Sequence, residues 1–324
     1  MPHRAVIDDR SASAERPNGL RGSAPSSRVA IAFLAVCILW GSTFFGIRIA
    51  LESFPPFLIG ALRFFCAGLL LFGVAFARHE RLPRTLEWAG AALTGSLYFI
   101  VGNCLVNFAE QSISSGLASI LVATMPLWAS LFARLLGERL TRKEVVGVLI
   151  GVAGVAVLNA GGELRASPVG ALCGLLAPMG WALAFVLDRR VPAPAGTMRT
   201  AAQMLAGGAL AFVLSYGVHE QVPTAPSARA VLAVVYLCLL GSVGGFSAYS
   251  YLMQHTRLAV ATSYAYINPV IAVALGVAAA GEHFGTASLF GAIIVLGAVA
   301  LVLRGRSGSA PRARITPPAR QARD

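Results

Sequence analysis

The sequence predicts an all-α polytopic membrane protein of ten transmembrane helices, arranged as two inverted five-helix repeats. Three observations predict it. Hydrophobic residues make up 56% of the chain and charged residues only 12%, against about 25% charged in ordinary soluble domains. A glycine-rich apolar segment behind a single glutamate occurs twice, as Gly137-Glu138-Arg139-Leu140 running into Gly147-Val148-Leu149-Ile150 and as Gly281-Glu282-His283-Phe284 running into Gly291-Ala292-Ile293-Ile294. The glutamate precedes its second glycine by nine residues in both copies. Third, the basic residues cluster between apolar runs and in the two tails. A duplicated bundle in a membrane points to transport of a solute.

A helix needs about 20 mostly apolar residues to cross the hydrocarbon. Dividing the apolar runs at their polar breaks gives spans at 29–50, 56–77, 88–109, 113–135, 144–160, 168–187, 199–217, 229–253, 258–280 and 285–303. Span one follows a polar tail, 1–28, and is too extended for the h-region of a cleaved signal peptide, about 7–15 residues. It is read as retained. Span two carries a bulky stripe, Leu58, Leu62, Phe65, Leu69, Phe72 and Phe76, expected to face lipid. Arg63 points away from that stripe beside Gly60 and Ala67, so it is expected to face the bundle unless it snorkels to the interface. Span three carries Ser96, Asn103, Asn107 and Glu110 along one helical face. Spans four, six and nine contain Pro126, Pro178 and Pro269. Each proline frees a carbonyl one turn earlier, which makes either a packing kink or an opened backbone beside a cavity. Gly147/Gly151, Gly170/Gly174 and Gly241/Gly245 have the spacing of close helix contacts, and span ten runs into a basic tail, 304–324.

Orientation follows from charge. Of the 26 Lys and Arg, 22 fall in the tails and in the loops after spans two, four, six and eight; the opposite side has Arg165 and Arg229, with Arg48 near it. By the positive-inside rule both termini face the cytoplasm. Five spans per half put the second repeat upside down relative to the first, the architecture of alternating access.

The same distribution excludes other classes. Clustered loop arginines fit membrane orientation, so no nucleic-acid partner is expected. Cys37, Cys66, Cys104, Cys173 and Cys238 lie in apolar runs without zinc spacing, so neither metal nor cofactor is expected. Gly245-Phe246-Ser247-Ala248 lacks the final glycine and a facing histidine of a serine-hydrolase turn, and there is no HExxH. An enzyme is therefore not expected; a passive channel or a structural subunit is the alternative. Oligomeric state is not legible.

The tryptophan segment Trp40-Gly41-Ser42-Thr43-Phe44, matched by Trp181-Ala182-Leu183-Ala184-Phe185, stands with Pro55, Pro56 and Arg63 and the two proline-to-Gly-Glu segments. As a set these resemble the drug/metabolite transporter superfamily, in particular its ten-span EamA-type exporters, over about residues 30–303. The resemblance implies two EamA-like repeats, 29–160 and 168–303, an inner-membrane location, and export of small metabolites, amino acids or drug-like compounds.

Candidate solute-contacting residues are Trp40, Arg63, Asn103, Asn107, Trp128, Trp181, Tyr264, Tyr266 and Asn268. Tyr264 pairs with Asn268, and Thr262 with Tyr266, at helical spacing next to Pro269; hydroxylated rings offer apolar walls with adjustable polar contacts. The polar stripe of span three has interhelical hydrogen bonding as its plainer explanation, and tryptophan also serves as an interfacial anchor. Glu138 and Glu282 follow span ends and are expected to cap the next helix or to pair with nearby Arg or His. No carboxylate sits near the middle of a span, so transport is expected not to depend on an embedded one.

Overall fold

The computed structural model describes residues 27–137, 140–160, 167–256, 264–283 and 285–307. Among these the regular structure is entirely helical. Glu138, Arg139, Arg165, Arg257, Thr262, Phe284 and most of the two polar tails, 1–26 and 308–324, lie outside the described residues.

The first half comprises α1 (Ser27–Gly41), α2 (Thr43–Ala50), α3 (Pro56–Ala77), α4 (Thr85–Gly95), a π-helical stretch π1 (Ser96–Cys104), α5 (Leu105–Glu110), α6 (Ser115–Val122), α7 (Met125–Leu135) and α8 (Arg142–Ala160). The second comprises α9 (Pro168–Leu187), α10 (Gly196–Gly217), α11 (Ala228–Tyr236), π2 (Leu237–Gly244), α12 (Gly245–His255), α13 (Tyr264–Ala280) and α14 (Thr286–Ser307). Seven helical segments are long and apolar enough to cross a membrane: Ser27–Ala50, Pro56–Ala77, Thr85–Glu110, Ser115–Leu135, Pro168–Leu187, Gly196–Gly217 and Ala228–His255. Tyr264–Ala280 and Thr286–Val302 are shorter apolar helices. The expected ninth span, 258–280, is described only from Tyr264, and the expected fifth, α8, begins with the charged Arg142, Lys143 and Glu144.

Helix starts follow from capping chemistry. Ser114, Ser167 and Ser227 each accept a main-chain N–H three residues on, from Leu117, Gly170 and Ala230, which satisfies a donor the first turn leaves orphaned. α3 and α10 end differently. His79 and His219 both adopt φ 57°, the left-handed conformation that closes a helix C-terminus. The next N–H then reaches five residues back, from Glu80 to Ala75 O and from Glu220 to Ser215 O. Each turn delivers a glutamate to the other helix. Glu220 accepts from Phe57 N (2.9 Å) and Leu58 N (2.8 Å) at the start of α3, and Glu80 accepts from Met198 N (2.8 Å) at the start of α10.

Between those reciprocal caps α3 and α10 pack along their length. A Cβ on Gly68 would collide with the main chain of Leu205, and one on Gly208 with that of Phe65; only glycine permits so close an approach. This corrects the expected lipid stripe of α3. Leu58 is buried and Phe65 packs edge-on against Phe212 of α10, whereas Leu69 and Phe76 are the exposed members. Periodicity marked an apolar face correctly, but half of it meets protein. The other pairings recur in kind: α8 lies along α14, α1 packs on α12 and α13, and α9 packs on π1, α5 and α6. Large exposed apolar residues such as Leu149, Val213, Leu232 and Phe290 remain on the outside, the surface a bilayer covers.

The prolines behave unlike one another. Span four breaks at Ala123–Thr124 and restarts as α7 with Pro126 in its first turn, where no N–H is missed. Pro178 and Pro269 lie inside continuous helices α9 and α13.

Candidate functional site

A cavity of about 520 Å³ lies between the helices of the two halves, lined by α1, α2, α3, π1, α5, α6, α7, α9, α10, α12 and α13. Its volume is in the range that holds a small organic molecule. At its inner end stand Arg63, Asn103 and Val106; toward the other end the lining passes to Asp188, Gly196, Arg199 and Gln254, where Gly196 and Gln254 are exposed.

Two sets of interactions shape it. Trp40 donates its indole N–H to Gly241 O in π2 (3.0 Å), and Trp181 donates to Tyr98 O in π1 (2.6 Å). Widening the helical turn frees carbonyls from the ordinary ladder, and an indole, which only donates, is suited to take one. The repeated tryptophans thus pin the cavity wall across the boundary between halves, each bonding a π-helix of the other. Around Trp40 the rings of Phe246, Tyr249 and Tyr264 sit with centroids 5.2, 5.3 and 4.9 Å away, and Phe64 and Phe99 stack at 4.4 Å. The wall is aromatic with hydroxyls at its edges.

Arg63 supplies the charge. It is only 4% exposed, its Nε donates to Ser242 Oγ of π2 (2.9 Å), and Cζ lies 4.7 Å from the Phe64 ring centroid. Among the described residues the guanidinium makes no second hydrogen bond, so the donors on its cavity side are available. Arg63 therefore faces the bundle, as expected from its helical phase, and its protein partner, Ser242, is in span eight. Toward the α9–α10 loop, Gln203 Nε2 donates to Thr94 Oγ1 (2.9 Å) and Asp188 Oδ1 (2.6 Å), and Arg199 pairs with Asp188 at 3.4 Å.

Of the residues expected from sequence, Trp40, Arg63, Asn103, Trp181, Tyr264, Asn268, Pro126 and Pro269 line the cavity. Asn103 donates to Tyr98 O, and Asn268, with its amide nitrogen turned toward them, donates to the carbonyls of Tyr264 and Cys37. Four do not line it. Asn107 donates to Pro56 O at the start of α3 (2.9 Å), Tyr266 packs against the apolar core, Trp128 is half-buried on α7, and Pro178 is buried within α9. Periodicity alone could not separate a cavity face from a packing face. Sequence reasoning missed Gln203, Asp188, Tyr98 and Tyr249. Gln203 had a signal: it stands 140 residues after Arg63, as His219-Glu220 stands after His79-Glu80.

At the closed end stand Glu282, half-buried, and Glu110, fully buried. Glu282 accepts from Ser115 N (2.7 Å) and Gly116 N (3.2 Å), so it caps α6. A capping role was expected, though for the helix that follows it. Glu110 is 0% exposed, which corrects the expectation that no carboxylate is enclosed by the bundle: a position at the end of a span was taken as its rim, and packing by α2, α3, α6 and α9 covers it.

Residues 27–160 and 168–304 each match the EamA-like transporter family. The inner membrane transporter YedA of Escherichia coli (strain K12), itself described as uncharacterized, is 41% identical over 276 residues, spanning 85% of this chain and 90% of that protein. The transporter YdfC of Bacillus subtilis (strain 168) is 30% identical over 264 residues, 81% of this chain and 86% of that one. A protein of Streptantibioticus cattleyicolor named "Probable terminal-alkyne amino-acid exporter" is 27% identical over 87% of this chain and 95% of its own length. One solved crystal structure superposes with a TM-score of 0.59 at 26% identity, covering 87% of this chain and 99% of that one.

Proposed function

Because the chain belongs to the EamA-like transporter family, we propose that it is a secondary transporter that exports a small metabolite, amino acid or drug-like compound by alternating access. The proposed architecture is ten spans in two inverted repeats, 29–160 and 168–303. The polar tail 1–28 and the basic tail 304–324 are both cytoplasmic, in an inner membrane. The cavity is what supports this most: it reaches Arg63 in the bundle, includes the exposed Gly196 beside the α9–α10 loop, and has neither Glu220 nor Glu282, which bind helix starts at the opposite end, in its lining. A carrier presents a blind cavity; a pore runs through. By the positive-inside rule the end at the α9–α10 loop is proposed to face the cytoplasm, where an exporter loads.

The proposed solute contacts are Trp40, Arg63, Asn103, Trp181, Tyr264 and Asn268. Arg63 offers a planar fork to a carboxylate or similar anionic group, while the rings around Trp40 take an apolar or aromatic portion. The exporter named among the relatives handles an amino acid, and that pairing of charge and aromatic wall would suit one. Purified protein in liposomes, loaded with a labelled amino-acid mixture, provides the test. Carrier behaviour is efflux that saturates and that unlabelled amino acids outside accelerate. Flux linear in concentration without trans-stimulation would mean a channel instead.

A further inference from the structure

Glu110 ends α5, and neither of its carboxyl oxygens has a hydrogen-bond partner. It lies four residues beyond Val106, which lines the cavity, so it shares that helical face one turn further toward the closed end. No cation hydrogen-bonds its carboxyl group in this conformation. Arg48 of α2 donates from Nη1 to the main-chain oxygen of Glu110 (2.6 Å) and not to its carboxyl group. Arg63 of α3 donates to Ser242. Glu282, after α13, has both oxygens on the start of α6. Against the same core α9 brings the Cys173 thiol, and α6 brings Ser115, whose Oγ is also unpartnered. An ionised carboxylate in this position would have neither water nor donors, and a second carboxylate nearby.

We propose that Glu110 is a proton-binding site that couples solute movement to proton movement: it holds a proton in this conformation and releases it when the closed end opens. On release the O–H bond breaks, the electron pair stays on the carboxyl oxygen, and the proton passes to entering water. The resulting carboxylate has a counter-ion within reach, since Arg48 already touches the same residue through its main chain. The coupling role rests on the transport reading above; proton binding does not.

Two measurements on the full-length protein need no solute. Infrared spectroscopy should find a protonated-carboxyl C=O band that converts to carboxylate on alkaline titration, is missing in Glu110→Gln and persists in Glu282→Gln. The second uses Ser119→Cys, a cavity position, with the five native cysteines replaced by alanine, in proteoliposomes treated with a membrane-impermeant methanethiosulfonate. Raising pH favours the conformer that has lost the proton, so the ratio of outer-face to cytoplasmic-face labelling, in which the thiol's own ionisation cancels, should rise by up to about tenfold per pH unit through the titration. Glu110→Gln should flatten that profile, and Glu110→Asp should move its midpoint while keeping it. A carboxyl band unaffected by Glu110→Gln overturns the proposal. So does an unchanged pH profile in that variant, or a profile set by sodium concentration in place of pH. Both signals intact without amino-acid flux would remove the transport reading and leave the proton site standing.

Discussion

A buried arginine is tolerated only where something takes its charge or its donors. Arg63 has one neutral partner, Ser242, and an aromatic face, which leaves part of its hydrogen-bonding capacity directed at the cavity. Hydrogen bonds to charged groups are worth about 1.5–3 kcal/mol, or roughly tenfold to a hundredfold in Kd. Arg63→Leu is therefore expected to weaken amino-acid efflux by about that factor with membrane insertion unchanged. Arg63→Lys should lose less, because it keeps the charge without the fork. Efflux by Arg63→Leu at the wild-type rate would make the residue purely structural. The inward direction of Arg63 was legible from its phase against a bulky stripe. Its partner was not, since Ser242 lies 179 residues away and nothing local in the sequence connects them.

At the scale of elements, the reciprocal glutamates show how helix ends are fixed without local caps. Glu220→Gln removes charge from a pair of hydrogen bonds at the positive end of α3. A loss of about 1 kcal/mol is expected, seen as a lower Tm in detergent, and Glu80→Gln should act likewise at α10. An unchanged Tm in both would mean that the caps contribute nothing net. The spans themselves were readable because apolar length is a local property. The π-helices were not, because a widened turn leaves no periodic mark in residue type; only the repeated Trp40 and Trp181, which bond the carbonyls of π2 and π1, hinted that something recurs there. The lipid stripe of α3 failed at Leu58 and Phe65 for a related reason. Bilayer and neighbouring helix are equally apolar, so hydropathy cannot tell them apart.

For the whole molecule, the ten-span proposal makes a topological claim that can be read directly. Reporters fused after Arg84, Arg142 and Arg190 should signal cytoplasm, and those after Glu110 and Glu220 the outer side. A cytoplasmic signal after Glu110 would break the inverted arrangement. The glycine crossing at the centre has a consequence of another kind. Gly68 meets Leu205 and Phe65 meets Gly208, and both members of the second contact are offset by 140 residues from members of the first. That is the self-complementary contact of a two-fold homodimer, made inside one polypeptide. In a true homodimer of half-length chains the equivalents of Arg63 and Gln203 would be one and the same residue, and a pair of guanidinium groups would line a single cavity. Covalent continuity lifts that identity. Arg63 and neutral Gln203 share the cavity, so the two related positions present a guanidinium at one place and an amide at the other, a handedness that strict two-fold symmetry would forbid.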